Sequence, residues 1–247
     1  MKSILIISLF ISLIGCEIDR DNPLDPKNPD NSFQRINLVE LFYKRGDNLS
    51  SFATQAFEVL SLDGTYKDQI ALIQYDLLPD EISGAQNFYE NERANGINFG
   101  IPDFFLNGNE GRAQGASSYS NALRNYKETL QEATNGEFRE SDFTFWAELQ
   151  PEGDLLTIQA ELGNVSEIRK SNLLLRGVVV ENQGGNFKFS AVQLLNSKNI
   201  PILEAGEVSK FTFPSVAISN LQNRFEKINV VVWVEENKQV SQAGVFK

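Results

Sequence analysis

Two residue types that carry much of protein chemistry are almost missing from this chain. Its only thiol is Cys16, and it has no histidine. One cysteine excludes an intramolecular disulfide and any C-x-x-C pair. Without imidazole there is no histidine general base, no Ser–His or Cys–His nucleophile pair and no His-ligated zinc. Carboxylates are what remain. Glu40, inside the apolar run Leu38-Val39-Glu40-Leu41-Phe42, is one candidate, because burial could raise its pKa into the range of an acid or base. No nucleophile is spaced to work with it, so a hydrogen-bonded structural carboxylate is the competing reading. A hydrolase built on paired Asp and Glu stays open, although no local spacing singles out a pair.

Acidic residues outnumber basic ones 33 to 22 over 247 residues, a net charge of -11. That balance argues against nucleic acid as a partner, since phosphate neutralisation needs a basic face. It argues equally against electrostatic docking on an anionic membrane surface. Apolar residues make up 41%, enough for a sizeable core in one large domain or two ordinary ones.

Cys16 is placed for a covalent role. Lys2 precedes an apolar run from Ile4 to Ile14, and eleven residues fall short of the about 20 that span a bilayer. The length and the basic start fit the h-region of a secretory signal peptide. The run ends in Leu13-Ile14-Gly15-Cys16, which resembles the lipobox of bacterial lipoproteins. The resemblance implies a cleaved signal over 1–15, diacylation of the Cys16 sulfur and acylation of the new amino group, with no other cofactor. An ordinary signal peptide with a chance cysteine is the alternative. Several acyl chains anchor stably, each buried methylene contributing about 0.8 kcal/mol. Residues 16–33 then read as the lipidated cysteine and an extended tether, since Pro23, Pro26 and Pro29 forbid helix and disfavour pairing. In polyproline-like geometry, at about 3.1 Å per residue, it would hold a domain roughly 50 Å from the membrane.

Residues 34–134 read as the first folded unit. "RINLVELFY" is rich in strand formers, and Ile70-Ala71-Leu72-Ile73 is a continuous apolar run suited to a strand buried on both faces. Between them Phe52, Ala56, Val59 and Leu60 recur at helical spacing. A second helix is expected from Asp80 to Gly96, starting after Pro79, and "GIPDFFLNGNEGRAQG" gives a strand and a Gly/Asn hairpin turn. Tyr119, Leu123, Tyr126 and Leu130 share one face of a third helix. The order is β-α-β-α-β-β-α.

That order, with Gly100-Ile101-Pro102 opening the third strand, resembles the thioredoxin fold. In that family a proline before the third strand is cis and faces the active-site turn, and Pro102 is the matching residue. Val39-Glu40 matches the family's Val-acid pair ahead of the redox turn, and Asp47-Asn48-Leu49-Ser50 falls approximately at its C-x-x-C. A helix N-terminus favours a thiolate because of its unpaired N–H groups and dipole. Here Asp47 or Asn48, with Ser50 beside them, can satisfy those groups as a cap, stabilising the helix by about 1 kcal/mol. Exchange needs a thiolate, so the redox role is lost. The family also holds extended peptides beside the cis-proline; the groove this implies would be lined by Tyr43, Lys44, Ile101 and Pro102, with Asp103 nearby. Arg45-Gly46-Asp47 spells an adhesion tripeptide that a helix-entry turn explains without adhesion.

From Phe138 the texture changes to alternating strands separated by turns such as Gln183-Gly184-Gly185-Asn186. Seven candidate strands over 138–247 suggest an antiparallel sandwich, immunoglobulin-like without the paired cysteines of antibody domains. A thioredoxin-like domain followed by such a sandwich, behind a secretion signal, resembles a family of outer-membrane lipoproteins of Gram-negative bacteria. The expected fold class is thus an α/β thioredoxin-like domain followed by an all-β immunoglobulin-like sandwich. The expected function is a redox-inactive, membrane-anchored envelope lipoprotein that binds or scaffolds envelope proteins or peptides. The alternative is an envelope enzyme, either a carboxylate hydrolase or a thiol-disulfide exchanger dependent on a partner's cysteines.

Overall fold

The computed structural model describes residues 33–66, 68–78, 82, 84–95, 99–134 and 140–247. The expected signal (1–15), Cys16, the tether up to residue 32 and Pro79 lie outside the described residues.

The first half begins with β1 (Asn37–Tyr43), α1 (Asn48–Leu62) and β2 (Ile70–Asp76). A short α2 (Ala85–Phe88) runs into a single π-helical stretch, Tyr89–Arg93. Strands β3 (Asp103–Leu106) and β4 (Gly111–Gln114) form a hairpin, and α3 (Tyr119–Thr134) closes the half. The second half holds β5 (Phe143–Glu152), β6 (Leu155–Asn164), β7 (Lys170–Glu181), β8 (Ser190–Leu194), β9 (Lys198–Leu203) and β10 (Val208–Ala217). A one-turn α4 (Leu221–Arg224) precedes β11 (Ile228–Glu236) and β12 (Gln239–Phe246).

One sheet runs through both halves in the order β12-β11-β7-β8-β2-β1-β3-β4, with β9 also paired to β7. A second sheet, β10-β6-β5, packs on it. β1 and β2 are parallel, Asn37 opposite Ile70, and β8 joins β2 in parallel at Gln74 opposite Ser190. The large sheet curls until β12 reaches the start of β1: Ala243 N–H donates to Ile36 C=O at 3.2 Å, and Ile36 N–H donates to Gln242 Oε1 at 2.7 Å. Asn107 pins the same junction. Its Oδ1 accepts from Leu38 N–H (2.9 Å) and its C=O from Val240 N–H (3.1 Å). Gly108 follows at φ +74, where a Cβ would sit 2.3 Å from Lys238 C=O, so neither the conformation nor the space admits a side chain.

Three cores result. Val39, Leu41 and Tyr43 face α1 and α3, meeting Phe57, Phe104 and Tyr126. Leu38 and Phe42 face the inside of the curl, meeting Phe88, Val180, Val231 and Trp233. The third core fills the space between the two sheets, where Leu156, Ile158, Val179, Val230 and Val232 interdigitate.

The expected fold class is corrected by this topology. The protein is predominantly β, its strands gathered in one curled sheet and a sandwich layer, not an α/β thioredoxin-like domain followed by a separate immunoglobulin-like sandwich. The physical reason is visible in β7 and β11. Val178 and Val180 face one core while Val179 faces another, and Val230 and Val232 oppose Val231 in the same way. Strands buried on both faces belong to the middle of a covered sheet, whereas a free-standing sandwich would present alternate residues to water. The second half also holds β9, which the reading of seven strands omitted. Pro201 sits there on an edge strand, the place a sheet tolerates proline, opposite Asn172 (φ 56), where the β7–β9 ladder skips one pair without changing register.

Candidate functional site

The turn between β1 and α1 carries most of the residues the sequence singles out. Asp47 is the N-cap of α1: its Oδ2 accepts from Ser50 N–H at 2.7 Å, satisfying a donor the helix cannot. Ser50 is buried and its Oγ accepts from Lys44 N–H at 3.2 Å, which fixes the approach of the turn. Asn48 is the first helical residue and is exposed, as is Lys44. Tyr43 is buried, its ring 5.9 Å from that of Phe187 in a near-parallel stack. Arg45 lies over the same Phe187 ring at 4.9 Å, pairs with Asp76 at 3.2 Å and donates to Gln183 at 3.1 Å. Arg45 and Asp47 of the tripeptide thus both hold partners within the chain, although the Arg45 side chain is 40% exposed. These groups surround a cavity of about 320 Å³ walled by Lys44, Ser51, Thr54, Asn186 and Phe187.

Ile101, Pro102 and Asp103 lie elsewhere on the same sheet. The Ile101–Pro102 peptide is cis. Asp103 pairs with Phe42 in the β1–β3 ladder, one residue from Tyr43, yet none of the three lines the cavity at the turn. Pro102 is buried and Ile101 half-buried. The Asp103 carboxylate is fully buried and held by Arg112 (2.6 and 2.9 Å) and the Tyr89 hydroxyl (2.9 Å). Burial raises its pKa, against the pull of Arg112 and Tyr89, and desolvation pushes Tyr89 up to about 12. Of the five residues assigned to a groove, Tyr43 and Lys44 border the cavity, while Asp103 belongs to a polar cluster with Tyr89 and with Arg112 of β4.

Glu40 occupies the inside of the curl with partners the sequence did not reveal. Its Oε2 accepts from Arg93 Nε at 2.5 Å, and the Tyr75 hydroxyl donates to Oε1 at 3.3 Å. Arg93 also donates to Glu235 at 2.8 Å; Glu235 in turn accepts from the Trp233 indole (2.8 Å) and from Arg176 (2.8 Å), which reaches Glu92. Glu40 and Arg93 are fully buried. Burial raises the Glu40 pKa and Arg93 opposes it. Glu235 is lowered, because Arg93 and Arg176 together outweigh its desolvation. The Phe88 ring lies 4.6 Å from the Arg93 guanidinium and 5.4 Å from that of Arg176. Glu40 has no solvent contact through which to exchange a proton with a substrate, so its geometry is that of a structural ion network. An acid in an apolar strand was the only signal in the sequence; Arg93, within Glu90-Asn91-Glu92-Arg93, looks like part of a solvated helix.

Among the described residues, no three His, Cys, Asp or Glu side chains converge for a metal ion, and no helix is long and apolar enough to cross a membrane. No family model matches the chain, and no curated protein matches it. Solved structures do. The chain is similar to HBP35 of Porphyromonas gingivalis at 13% identity and a TM-score of 0.63, over 87% of this chain and 75% of that one. Smaller likenesses, each with a TM-score of 0.32, are to a domain of the outer membrane lipoprotein Omp28 from Porphyromonas gingivalis (11% identity, 43% of this chain, 88% of that one) and to a mutant of Bacteroides uniformis beta-glucuronidase 2 (18% identity, 41% of this chain, 12% of that one). At these values the last two carry no argument. The likeness to HBP35 is one of fold, and it takes in both halves of the chain.

Proposed function

We propose that this protein is a lipid-anchored bacterial envelope protein that works by binding or scaffolding and performs no redox chemistry. The observation that carries the reading is the coincidence of Lys2, the apolar run Ile4–Ile14 and Leu13-Ile14-Gly15-Cys16, which together make the chain's one thiol a lipid attachment point. A binding role is supported by the cavity at the β1–α1 turn, where the helix start is closed by Asp47 and the wall is formed by Lys44, Asn186 and Phe187. The buried carboxylates Glu40 and Asp103 are both held in ion pairs, which favours a scaffold over a carboxylate hydrolase.

Metabolic labelling with a palmitate analogue tests the anchor. The wild-type chain takes up label and partitions with membranes, and Cys16→Ser abolishes both. Label retained in the Cys16→Ser variant, or a wild-type chain recovered unlabelled from the medium, overturns the reading.

A further inference from the structure

One edge of β2 pairs with a described strand only at Gln74, and its start lies beside an apolar slot. In its parallel ladder with β1, odd-numbered residues turn their backbone groups toward β1, as Asn37 N–H to Gln69 C=O (2.9 Å) and Leu77 N–H to Tyr43 C=O (2.8 Å) show. Even-numbered residues face the other way, where Gln74 N–H donates to Phe189 C=O at 2.8 Å. β8 meets β2 at Gln74 alone, because the preceding chain turns aside to place Asn186 C=O on Gln74 Nε2 and the Phe187 ring on Tyr43. Ile70 and Leu72 therefore aim their N–H and C=O groups at a side where no described strand pairs with them. A cavity of about 340 Å³ opens on that side, walled by Leu72, Val180, Phe189, Val231 and Val245. Val245 is 48% exposed, which leaves the slot open at its mouth.

The chemistry of this place selects its occupant. Open backbone donors and acceptors along a strand edge are satisfied by another extended backbone, and the apolar wall accepts an alternate side chain of it. The one charged residue in the lining, Asp68, is exposed, holds φ 63 and forms no ion pair with any described residue. An exposed carboxylate that pairs with no described residue, on a chain of net charge -11, favours a cation beside the apolar anchor. We propose that an extended segment of a partner polypeptide adds to β2 at Ile70–Leu72 as a short strand, with one apolar side chain in the slot and a Lys or Arg against Asp68. This deepens the binding role proposed above at a surface separate from the β1–α1 turn. It does not depend on Cys16: loss of lipidation leaves the slot intact, and an empty slot leaves the anchor intact.

The test uses the whole chain in detergent micelles and a capped pentapeptide alternating valine and lysine, with hydrogen–deuterium exchange read over Asp68–Gln74. Added peptide slows exchange at Ile70 and Leu72 by about tenfold or more, a change equivalent to the tenfold step in an equilibrium constant. The same peptide N-methylated at the pairing amides has no effect. Asp68→Lys weakens binding by about threefold, the scale of one exposed ion pair, and Val245→Arg, which plugs the mouth, abolishes it while leaving circular dichroism unchanged. Four results overturn the proposal: both amides protected without peptide, exchange unchanged by it, equal binding of the N-methylated peptide, or protection that grows with protein concentration alone, which would make a second copy of the chain the occupant.

Discussion

Arg93 is the residue on which the inside of the curled sheet turns. It is fully buried between Glu40 and Glu235, one carboxylate from each half of the chain. A guanidinium in that position costs desolvation, and the pair is sustained because two carboxylates and the Phe88 ring surround it. Removing one member of such a network leaves buried charge uncompensated, so Arg93→Leu is expected to lower stability by about 3–5 kcal/mol in urea denaturation at neutral pH. The pH dependence separates charge from packing. Burial already raises Glu40 above its unfolded value, and losing Arg93 raises it further. A carboxylate raised in the folded state stabilises the fold fully below its unfolded pKa and loses that contribution as pH rises through the folded value. The deficit of Arg93→Leu should therefore shrink as pH is lowered toward about 4.5 and grow toward pH 8; an equal deficit at both ends would assign the cost to the lost packing alone. Glu40 was legible as an anomaly in an apolar run. Its partners were not, because Arg93 and Glu235 are 53 and 195 positions away and nothing local marks them.

At the scale of elements, periodicity read the helices that lie on the sheet. Of the residues that helical spacing marks, Ala56 and Leu60 of α1 and Tyr126 and Leu130 of α3 are buried, while Phe52, Val59, Tyr119 and Leu123 are half-buried; Ala53, Phe57 and Ala122, which the spacing did not mark, complete the buried faces. The second helix was legible only as existing: its described part ends in the π-helical stretch that turns Arg93 inward, and no propensity encodes that widening. α1 and α3 are also tied end to side. Asp63, the C-cap residue of α1, accepts from Lys127 Nζ of α3 at 2.6 Å and from Thr65 N–H at 3.0 Å. The hydrogen bond from Lys127 is the main reason its pKa is lowered from 3.8 to about 2. A depressed carboxylate stabilises the fold above its unfolded pKa and loses the contribution as pH falls through the folded value. The window is thus from about pH 4 down to about pH 2. Because the pair is largely solvated, its effect is small at neutral pH. Lys127→Met should lower thermal stability slightly near pH 7 and, by the same small amount, reduce the acid-induced loss between those limits. Identical acid titrations of the two proteins, followed by circular dichroism, would show that Asp63 does not couple the helices.

At the scale of the whole molecule, what the sequence concealed is long-range pairing. A reading that moves along the chain finds β-α-β units and hairpins, since each is local, and then divides the molecule where the texture changes near residue 138. Contacts that join positions more than 100 residues apart cross that point: Gln74 with Ser190, Ile36 with Ala243, Asn107 with Val240. Two features of the sequence do bear on it in retrospect. Val178-Val179-Val180 and Val230-Val231-Val232 are continuous apolar runs, the pattern of strands covered on both faces, and a sandwich standing alone has no second cover to offer them. The inner core is consequently common property, with Leu38, Ile73 and Phe105 from the first half packed among Val180, Val231, Trp233 and Ala243 from the second. Neither half can bury its share without the other, and Glu40 and Glu235 compete for the same Arg93 across the divide. Unfolding in denaturant should accordingly follow one transition, with the fluorescence of Trp233 in the inner core coinciding with the helical signal of α1 and α3. A fragment starting at residue 140 would expose Val178, Val180, Val231 and Trp233 and is expected to bind a hydrophobic dye and to lack dispersed amide resonances. Two separated transitions, or a well-dispersed spectrum from that fragment, would mean that the shared core contributes less than the sandwich layer β10-β6-β5 supplies by itself.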